Sequence, residues 1–240
     1  MSNNNFDSIE TYYNKICIPD NITNIKIDIG LSYNAPQAGV WLDKDPNLLV
    51  IGFEPNPECV QSILSKNIIK MQSYHDDPIK SEYINNRFFL FPFALSNISE
   101  PSSMKFYSMQ QDCGTSSLFK PTWGSWNEID VPVYSLKHLF DIFDWNRVPY
   151  IDYIKIDAQG GDLDILKGAG DYLKDRVVYI TAEAENNKYE NCNHNNIIEL
   201  DTYLLSQNFI RVSHPNTDDP TYINNHFLDL KDNIFIYQKG

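Results

Sequence analysis

What this chain has little of limits its chemistry first. No stretch of its 240 residues approaches the 18 or more apolar residues that a membrane span needs. The N-terminus, M-S-N-N-N-F-D, has no basic region followed by an apolar one. No membrane partner is expected, and the cytoplasm is the expected location. Basic residues are few: 19 Lys and Arg face 32 Asp and Glu, a formal charge of -13, and no Lys/Arg cluster is visible. Such a surface repels phosphate polymers, so nucleic acid is not an expected partner. Cysteine is scarce and scattered at Cys17, Cys59, Cys113 and Cys192, with no C-x-x-C pair and no Cys/His spacing typical of zinc. A reducing compartment follows. The chain also has no G-x-S-x-G elbow, no G-x-x-x-x-G-K-[ST] loop and no G-x-G-x-x-G, which argues against hydrolase, P-loop and nicotinamide-binding readings.

What is present suits a globular α/β chain. With 42% hydrophobic and 13% aromatic residues, the sequence can fill a packed interior, and its length fits a single domain over 1–240. Residues 1–24 carry an amphipathic turn or helix around Ile9, Tyr12, Tyr13 and Ile16, read as an arm or lid. Apolar runs at Ile25–Ile29, Leu48–Phe53, Phe88–Phe93, Ile151–Ile156 and Val177–Ala182 read as strands. Helices are expected from Pro36 to about Asp43, from Pro57, from Leu136 behind an N-cap at Ser135, over about 162–173, and around 197–205. Residues 98–130 read as an irregular insert close to the acceptor site, whose long irregular segment, Gln110 to Asp130, lies between short edge strands at Met104–Tyr107 and Val131–Tyr134. Phe209–Val212 and Ile234–Tyr237 are expected to close the sheet as an antiparallel pair. Strands alternating with helices indicate a mainly parallel sheet covered on both faces.

The stretch Tyr153–Ala169 sets an acid, Asp157, at the end of a strand that passes through Gln159-Gly160-Gly161 into a helix. Open α/β sheets place ligand chemistry at such strand ends. Asp28-Ile29-Gly30, followed by Glu54 at the next strand tip, is the general layout for holding a nucleoside. There the glycine admits close backbone approach, and the acid accepts ribose hydroxyls. Lys155 shares a strand face with Asp157 and is placed to pair with it or with Glu183. Glu183 is a candidate for a sugar hydroxyl, for a divalent ion, or for nothing beyond a solvated strand end. No convincing third metal ligand stands beyond Glu185 or Asn186, so metal independence is expected. Trp123, Trp126 and Tyr107 either stack on sugar faces or pack beneath their loops. His194 alone of the five histidines lies where a substrate contact is expected.

Taken together and in this order, Asp28-Ile29-Gly30, Phe53-Glu54-Pro55-Asn56-Pro57, Ala94-Leu95-Ser96, Gly114-Thr115-Ser116-Ser117-Leu118 and Lys155-Ile156-Asp157…Leu166-Lys167-Gly168-Ala169 resemble the FkbM-type family of S-adenosylmethionine-dependent methyltransferases. The resemblance spans roughly Ile25 to Glu183. It implies the class I methyltransferase (Rossmann-like) fold, a three-layer sandwich around a mainly parallel seven-stranded sheet whose last strand is antiparallel. By its motif positions, Asp28, Gly30, Ser32, Asn34, Glu54, Pro55, Asn56, Ala94, Leu95, Ser96 and Asp157 would bind S-adenosylmethionine. Gln159, Ser116, Trp123 and His194 are the candidates for the acceptor side. The reaction implied is methyl transfer to a hydroxyl of a sugar or glycan. Asp157 is the candidate base, or else orients the cofactor or caps the helix, and Lys155 and Glu183 assist. The alternatives are RNA ribose 2'-O-methylation and a catalytically silent nucleoside binder. Asn34 stands where the family has a second glycine and, tolerating a left-handed backbone, is expected to preserve the turn. Asp162 stands where the family has glutamate.

Overall fold

The computed structural model describes residues 7–65, 77–185, 188–214 and 217–230. In chain order its elements are α1 (Ile9–Tyr13), β1 (Asn24–Ile29), α2 (Pro36–Lys44), β2 (Leu48–Phe53), α3 (Pro57–Ser65), β3 (Phe88–Phe91), β4 (Ala94–Leu95), β5 (Ser102–Met109), β6 (Trp126–Tyr134), α4 (Leu136–Ile142), β7 (Ile151–Ile156), α5 (Asp162–Lys167), α6 (Tyr172–Arg176), β8 (Val177–Ala182), α7 (Ile197–Ser206), β9 (Phe209–Arg211) and β10 (Thr221–Asn224). Seven strands form one sheet in the order β3-β2-β1-β7-β8-β10-β9. β3, β2, β1, β7 and β8 run parallel, and β10 is antiparallel to both its neighbours. The strand order reverses between β1 and β7, and their carboxyl ends form the crevice where such sheets bind ligands.

Hydrophobic alternation explains the layers. On β1, Ile25, Ile27 and Ile29 enter a large core with Leu49, Ile51, Phe53, Ile154 and Ile156, which α4, α5 and α7 cover. Leu48 and Val50 turn to the other face, against Ala38 and Leu42 of α2. All six residues of β2 are buried, as a strand covered on both faces requires. Each large side chain buried this way contributes roughly 1.5–3 kcal/mol. The same alternation leaves Lys26 and Asp28 of β1, and Tyr153 and Lys155 of β7, facing the α2 side.

Several expectations change. β9 pairs with Thr221–Asn224, and Ile234–Tyr237 lies outside the described residues. Residues 98–130 are not irregular throughout. β5 and β6 form a long antiparallel hairpin, Ser102 to Met109 against Trp126 to Val133, and with β4 they make a second, three-stranded sheet. The outer half of β5 is exposed on both faces, so its backbone pairing leaves no apolar alternation to read. The helix expected over 162–173 is divided into α5 and α6. Gly170 takes a left-handed backbone there (φ 59°), and a Cβ on Gly168 would lie 2.5 Å from the Ser96 carbonyl oxygen. α1 packs against α4, with the Tyr12 ring on Phe91 and Phe93, and Arg147 donates to the Pro19 and Ile22 carbonyls. Among its described residues the arm is packing. None of them lines either site cavity. No helix of the described residues is long and apolar enough to cross a membrane.

Candidate functional site

Two adjoining cavities open at the carboxyl ends of β1, β2, β7 and β8. They share Gly30, Gly114 and Asp157. The smaller, about 50 Å³, has Glu54 and Pro55 at one end and apolar walls that include Phe93, Ala94, Leu95, Phe106, Leu118 and Ile165. The larger, about 370 Å³, is lined by Asp28, Ser32, Asn34, Asp112, Lys155, Asp157, Gln159, Glu183, Glu185 and Lys188, among others. Glu54 and Asp157 therefore face one continuous crevice.

Glu54 is 5% exposed. The proline after it keeps it extended at the strand tip. Its two carboxyl oxygens accept backbone N–H groups from Ser32 (3.0 Å) and Asn56 (2.9 Å). Burial pushes it up to about 8, against the pull of those N–H groups. Ser32 has the left-handed backbone here (φ 56°), as does Ala35 (φ 48°), so the turn is carried by these two and not by Asn34. A Cβ on Gly30 would lie 1.9 Å from the Asp157 carbonyl oxygen, which makes glycine obligatory at that position.

Asp28 and Lys155 are direct cross-strand partners. Lys155 Nζ lies 3.3 Å from Asp157 Oδ2 and from the Gly30 carbonyl oxygen, and 3.7 Å from Asp28 Oδ1. Its ion pairs are thus with Asp157 and Asp28 and not with Glu183. Burial alone would lower Lys155, but the two aspartates more than offset it and raise it. Asp28, 1% exposed, is pushed up to about 6 by burial, and its Oδ1 has no hydrogen-bond partner. Burial also works against the charge of Asp157. There Lys155 and then the Gln159 amide prevail and hold it below the usual carboxylate range. Glu183 is pushed up to about 9 by burial and then by the charges of Asp157 and Asp162. At neutral pH Asp157 is the ionised member of the pair and Glu183 the protonated one.

Gln159 joins them. Its Nε2 donates to Asp157 Oδ1 (2.7 Å) and Glu183 Oε2 (3.0 Å), and its Oε1 accepts from Tyr189 Oη (2.7 Å). Its carbonyl accepts from Ser117 Oγ (2.7 Å) while its backbone is left-handed (φ 52°), a conformation costing roughly 1–2 kcal/mol for a residue with a Cβ. Asp162, fully buried and pushed up to about 7 chiefly by burial, accepts the Glu183 N–H (3.0 Å) and so ties α5 to the end of β8.

The other candidates divide. Asn56 and Ser116 are buried and bonded to each other; Asn56 also donates to Ser108, and Ser116 accepts the Met109 N–H and donates to the Cys113 carbonyl. They brace the hairpin behind Glu54, and Ser116 reaches the smaller cavity as wall. Ser96 lines neither cavity; its N–H donates to the Tyr134 carbonyl. Trp123 is 38% exposed and His194 pairs with Asp164 (3.1 Å) beside Phe119, and neither lines a cavity. Tyr189 and Asn195 were not anticipated. Asn195, fully buried, accepts the Leu163 N–H and donates to the Glu183 and Glu185 carbonyls. Single polar residues in an Asn-rich loop leave no local pattern that would single them out.

These residues fit S-adenosylmethionine. A buried carboxylate suits a diol, the apolar walls suit an adenine face, and Asp28, Asp157 and Glu185 surround the rest with negative charge that a sulfonium and an ammonium complement. At about 50 Å³ the smaller cavity is far below the usual size of ligand pockets, so an adenine would enter it only with its walls moved apart. Among the described residues no group of three or more His, Cys, Asp or Glu is disposed to hold a metal ion.

No curated protein matches the chain. The family described as Methyltransferase FkbM domain matches over residues 40–211. That stretch begins after Asp28, Gly30, Ser32 and Asn34 and takes in Glu54, Asp157, Gln159 and Glu183. With well over half of its length matched and this crevice at the strand ends, the chain belongs to the FkbM methyltransferase family.

Proposed function

We propose that this protein is an S-adenosylmethionine-dependent O-methyltransferase acting on a hydroxyl of a sugar or glycan, in the cytoplasm, with neither nucleic acid nor membrane as partner. The observation that carries the reading is Glu54: a buried carboxylate fixed by backbone N–H groups, facing the same crevice as Asp157. The cofactor, when bound, supplies a methyl group already activated by a sulfonium charge. Alignment of the two reactants then supplies the largest share of the acceleration, and a base a further ~10²–10⁴-fold.

In this reading Glu54 accepts the ribose hydroxyls and Asp28 faces the positively charged tail. Asp157, ionised and half-buried, accepts a hydrogen bond from the acceptor hydroxyl, orients its lone pair and takes its proton as the methyl group arrives. A carboxylate held low by Lys155 is a weak base, so orientation is the larger part of its work. Lys155 keeps Asp157 charged and in place, and Gln159, which also reaches Glu183, holds its other oxygen. The larger cavity, polar and open to solvent on one side, suits a hydroxylated acceptor better than an apolar one. The surplus of 13 negative charges weighs against RNA as acceptor. Four free thiols are in keeping with a reducing compartment.

The test is calorimetry of the intact protein with S-adenosylhomocysteine, followed by methyl transfer from labelled donor to a panel of neutral sugars. Binding together with labelling of a sugar is expected. An absence of binding overturns the reading, and binding with no labelling of any acceptor leaves a silent nucleoside binder.

A further inference from the structure

Gln159 spends its whole amide on protein. Its Nε2 reaches two carboxyl groups from different strands, and its Oε1 meets the phenol of Tyr189. The amide has one sensible orientation, because turning it over would set a carbonyl oxygen against the ionised Asp157. Tyr189 supports that orientation from a loop sewn to the hairpin, its O–H donating to Gln159 Oε1 at 2.7 Å and lying 3.2 Å from the Thr115 carbonyl oxygen. It bridges to Pro121, Glu190 donates its N–H to the Lys120 carbonyl, and Thr122 donates its N–H to the Lys188 carbonyl. Ser117, from the same hairpin, holds the Gln159 carbonyl at 2.7 Å. Two segments remote in sequence therefore clamp one glutamine at the turn between β7 and α5.

We propose that Gln159 is a positioning residue, not a substrate contact: Ser117 holds its backbone and Tyr189 its amide, so that the amide holds the Asp157 and Glu183 carboxyl groups as a pair, with Asp157 presented to the acceptor. This role rests on the methyltransferase reading for its purpose but not for its geometry. Other groups face the pair as well. Lys155 comes from β7, Asp28 from β1, Asp162 from α5, Glu185 with its partner Lys188 from the loop after β8, and Asp219 from the segment before β10. The hydrogen bonds of the Gln159 amide and the Tyr189 phenol go to none of these groups, so a change in titration reports the amide.

The experiment is a titration of selectively ¹³C-carboxyl-labelled protein, followed by NMR, for wild type, Gln159→Met and Tyr189→Phe. Assignments come from Asp157→Asn and Glu183→Gln. Loss of a hydrogen bond to an ionised carboxylate moves its titration upward, so Asp157 is expected to rise by about one unit or more in Gln159→Met. It should rise by less, in the same direction, in Tyr189→Phe, where the amide survives without its lock. Tyr189→Phe removes one oxygen and is the variant that keeps the question open to decision should Gln159→Met fail to fold. An Asp157 titration unchanged in the folded variants overturns the proposal even if their melting temperatures fall, because that result is what a purely structural glutamine gives. The titration needs neither cofactor nor acceptor. A protein that fails to bind S-adenosylhomocysteine, yet shows the shifts, overturns the function while leaving the clamp intact.

Discussion

The two ends of the crevice are built by different means. Glu54 is held by main chain: the N–H of Asn56, two residues on, and that of Ser32, in the turn after the adjacent strand, fix its oxygens. Asp157 is held by side chains, with Lys155 on one oxygen and Gln159 on the other, and Gln159 is in turn set by Glu183 and Tyr189. A group fixed by backbone keeps its place whatever the surrounding side chains do. A group fixed by a side-chain network can be retuned by single substitutions far along the chain. The Glu54 end is thus the fixed half of the crevice and the Asp157 end the adjustable half.

The largest effect should come from breaking the main-chain half at its one essential side chain. At about pH 9, where Glu54 is ionised, Glu54→Ala removes an acceptor of two ribose hydroxyls, each bond to a charged group being worth roughly 1.5–3 kcal/mol, so calorimetry there should show loss of S-adenosylhomocysteine binding by about a hundredfold or more. Asp157→Asn should separate the two halves. Cofactor affinity stays within a few-fold, while turnover of the labelled sugar falls by ~10²–10⁴-fold. Equal loss of both would mean that Asp157 belongs to the donor end.

Acidity sharpens the contrast further. Glu54 sits at about 8, so below that pH it is protonated and the weaker acceptor; adenosine affinity should rise roughly tenfold or more from about pH 6 to about pH 9. In Glu54→Gln the same titration should be flat. Stability should move the opposite way. Asp28, Asp162, Glu54 and Glu183 have folded-state values of about 6, 7, 8 and 9, above those of exposed carboxyl groups, so the folded chain binds their protons more tightly than the unfolded chain. Their contribution is complete below about pH 4 and drains away as the pH rises through those values. Asp157, held low, runs the other way, its contribution being lost only in acid. Thermal melts of the ligand-free protein should therefore fall from about pH 5 to about pH 9, and Glu54→Gln should lessen the fall. The smallest effect should be that of His194→Ala, which removes a partly exposed pair with Asp164 worth about 0–1 kcal/mol and should change S-adenosylhomocysteine affinity by less than about twofold.

The same division governs what was legible in the sequence. Apolar runs and the placement of Pro36, Pro55 and Pro57 delimit β1, β2, α2 and α3, and they set Glu54 at a strand tip, because these are local effects of neighbours on one another. Of the hairpin of β5 and β6 only Met104–Tyr107 and Val131–Tyr134 were legible as short strands, because the start of β5 and the start of β6 are largely exposed and neither carries an apolar alternation over its whole length. Thr221–Asn224, four residues long, carries too little pattern to announce a strand. The left-handed positions at Ser32 and Ala35, where Asn34 was the expected one, follow from how the turn meets Glu54 and α2 and not from residue preference. Around Asp157 and Glu183, Tyr189 and Asn195 act through contacts about 30 residues away in the chain. Nothing in their own neighbourhoods marks them, and Gln159 could be recognised as important without the reason being visible.

One close approach gives the crevice its mechanical character. The main chain at Gly30 lies directly on the main chain at Asp157, with no side chain between to yield. Even a methyl group at residue 30 would act as a wedge between the first and seventh strands, moving the carboxylate at the tip of one away from the turn whose Ser32 N–H holds Glu54. The spacing between these two strand tips is in this sense a single rigid dimension of the molecule, set by the absence of one carbon atom.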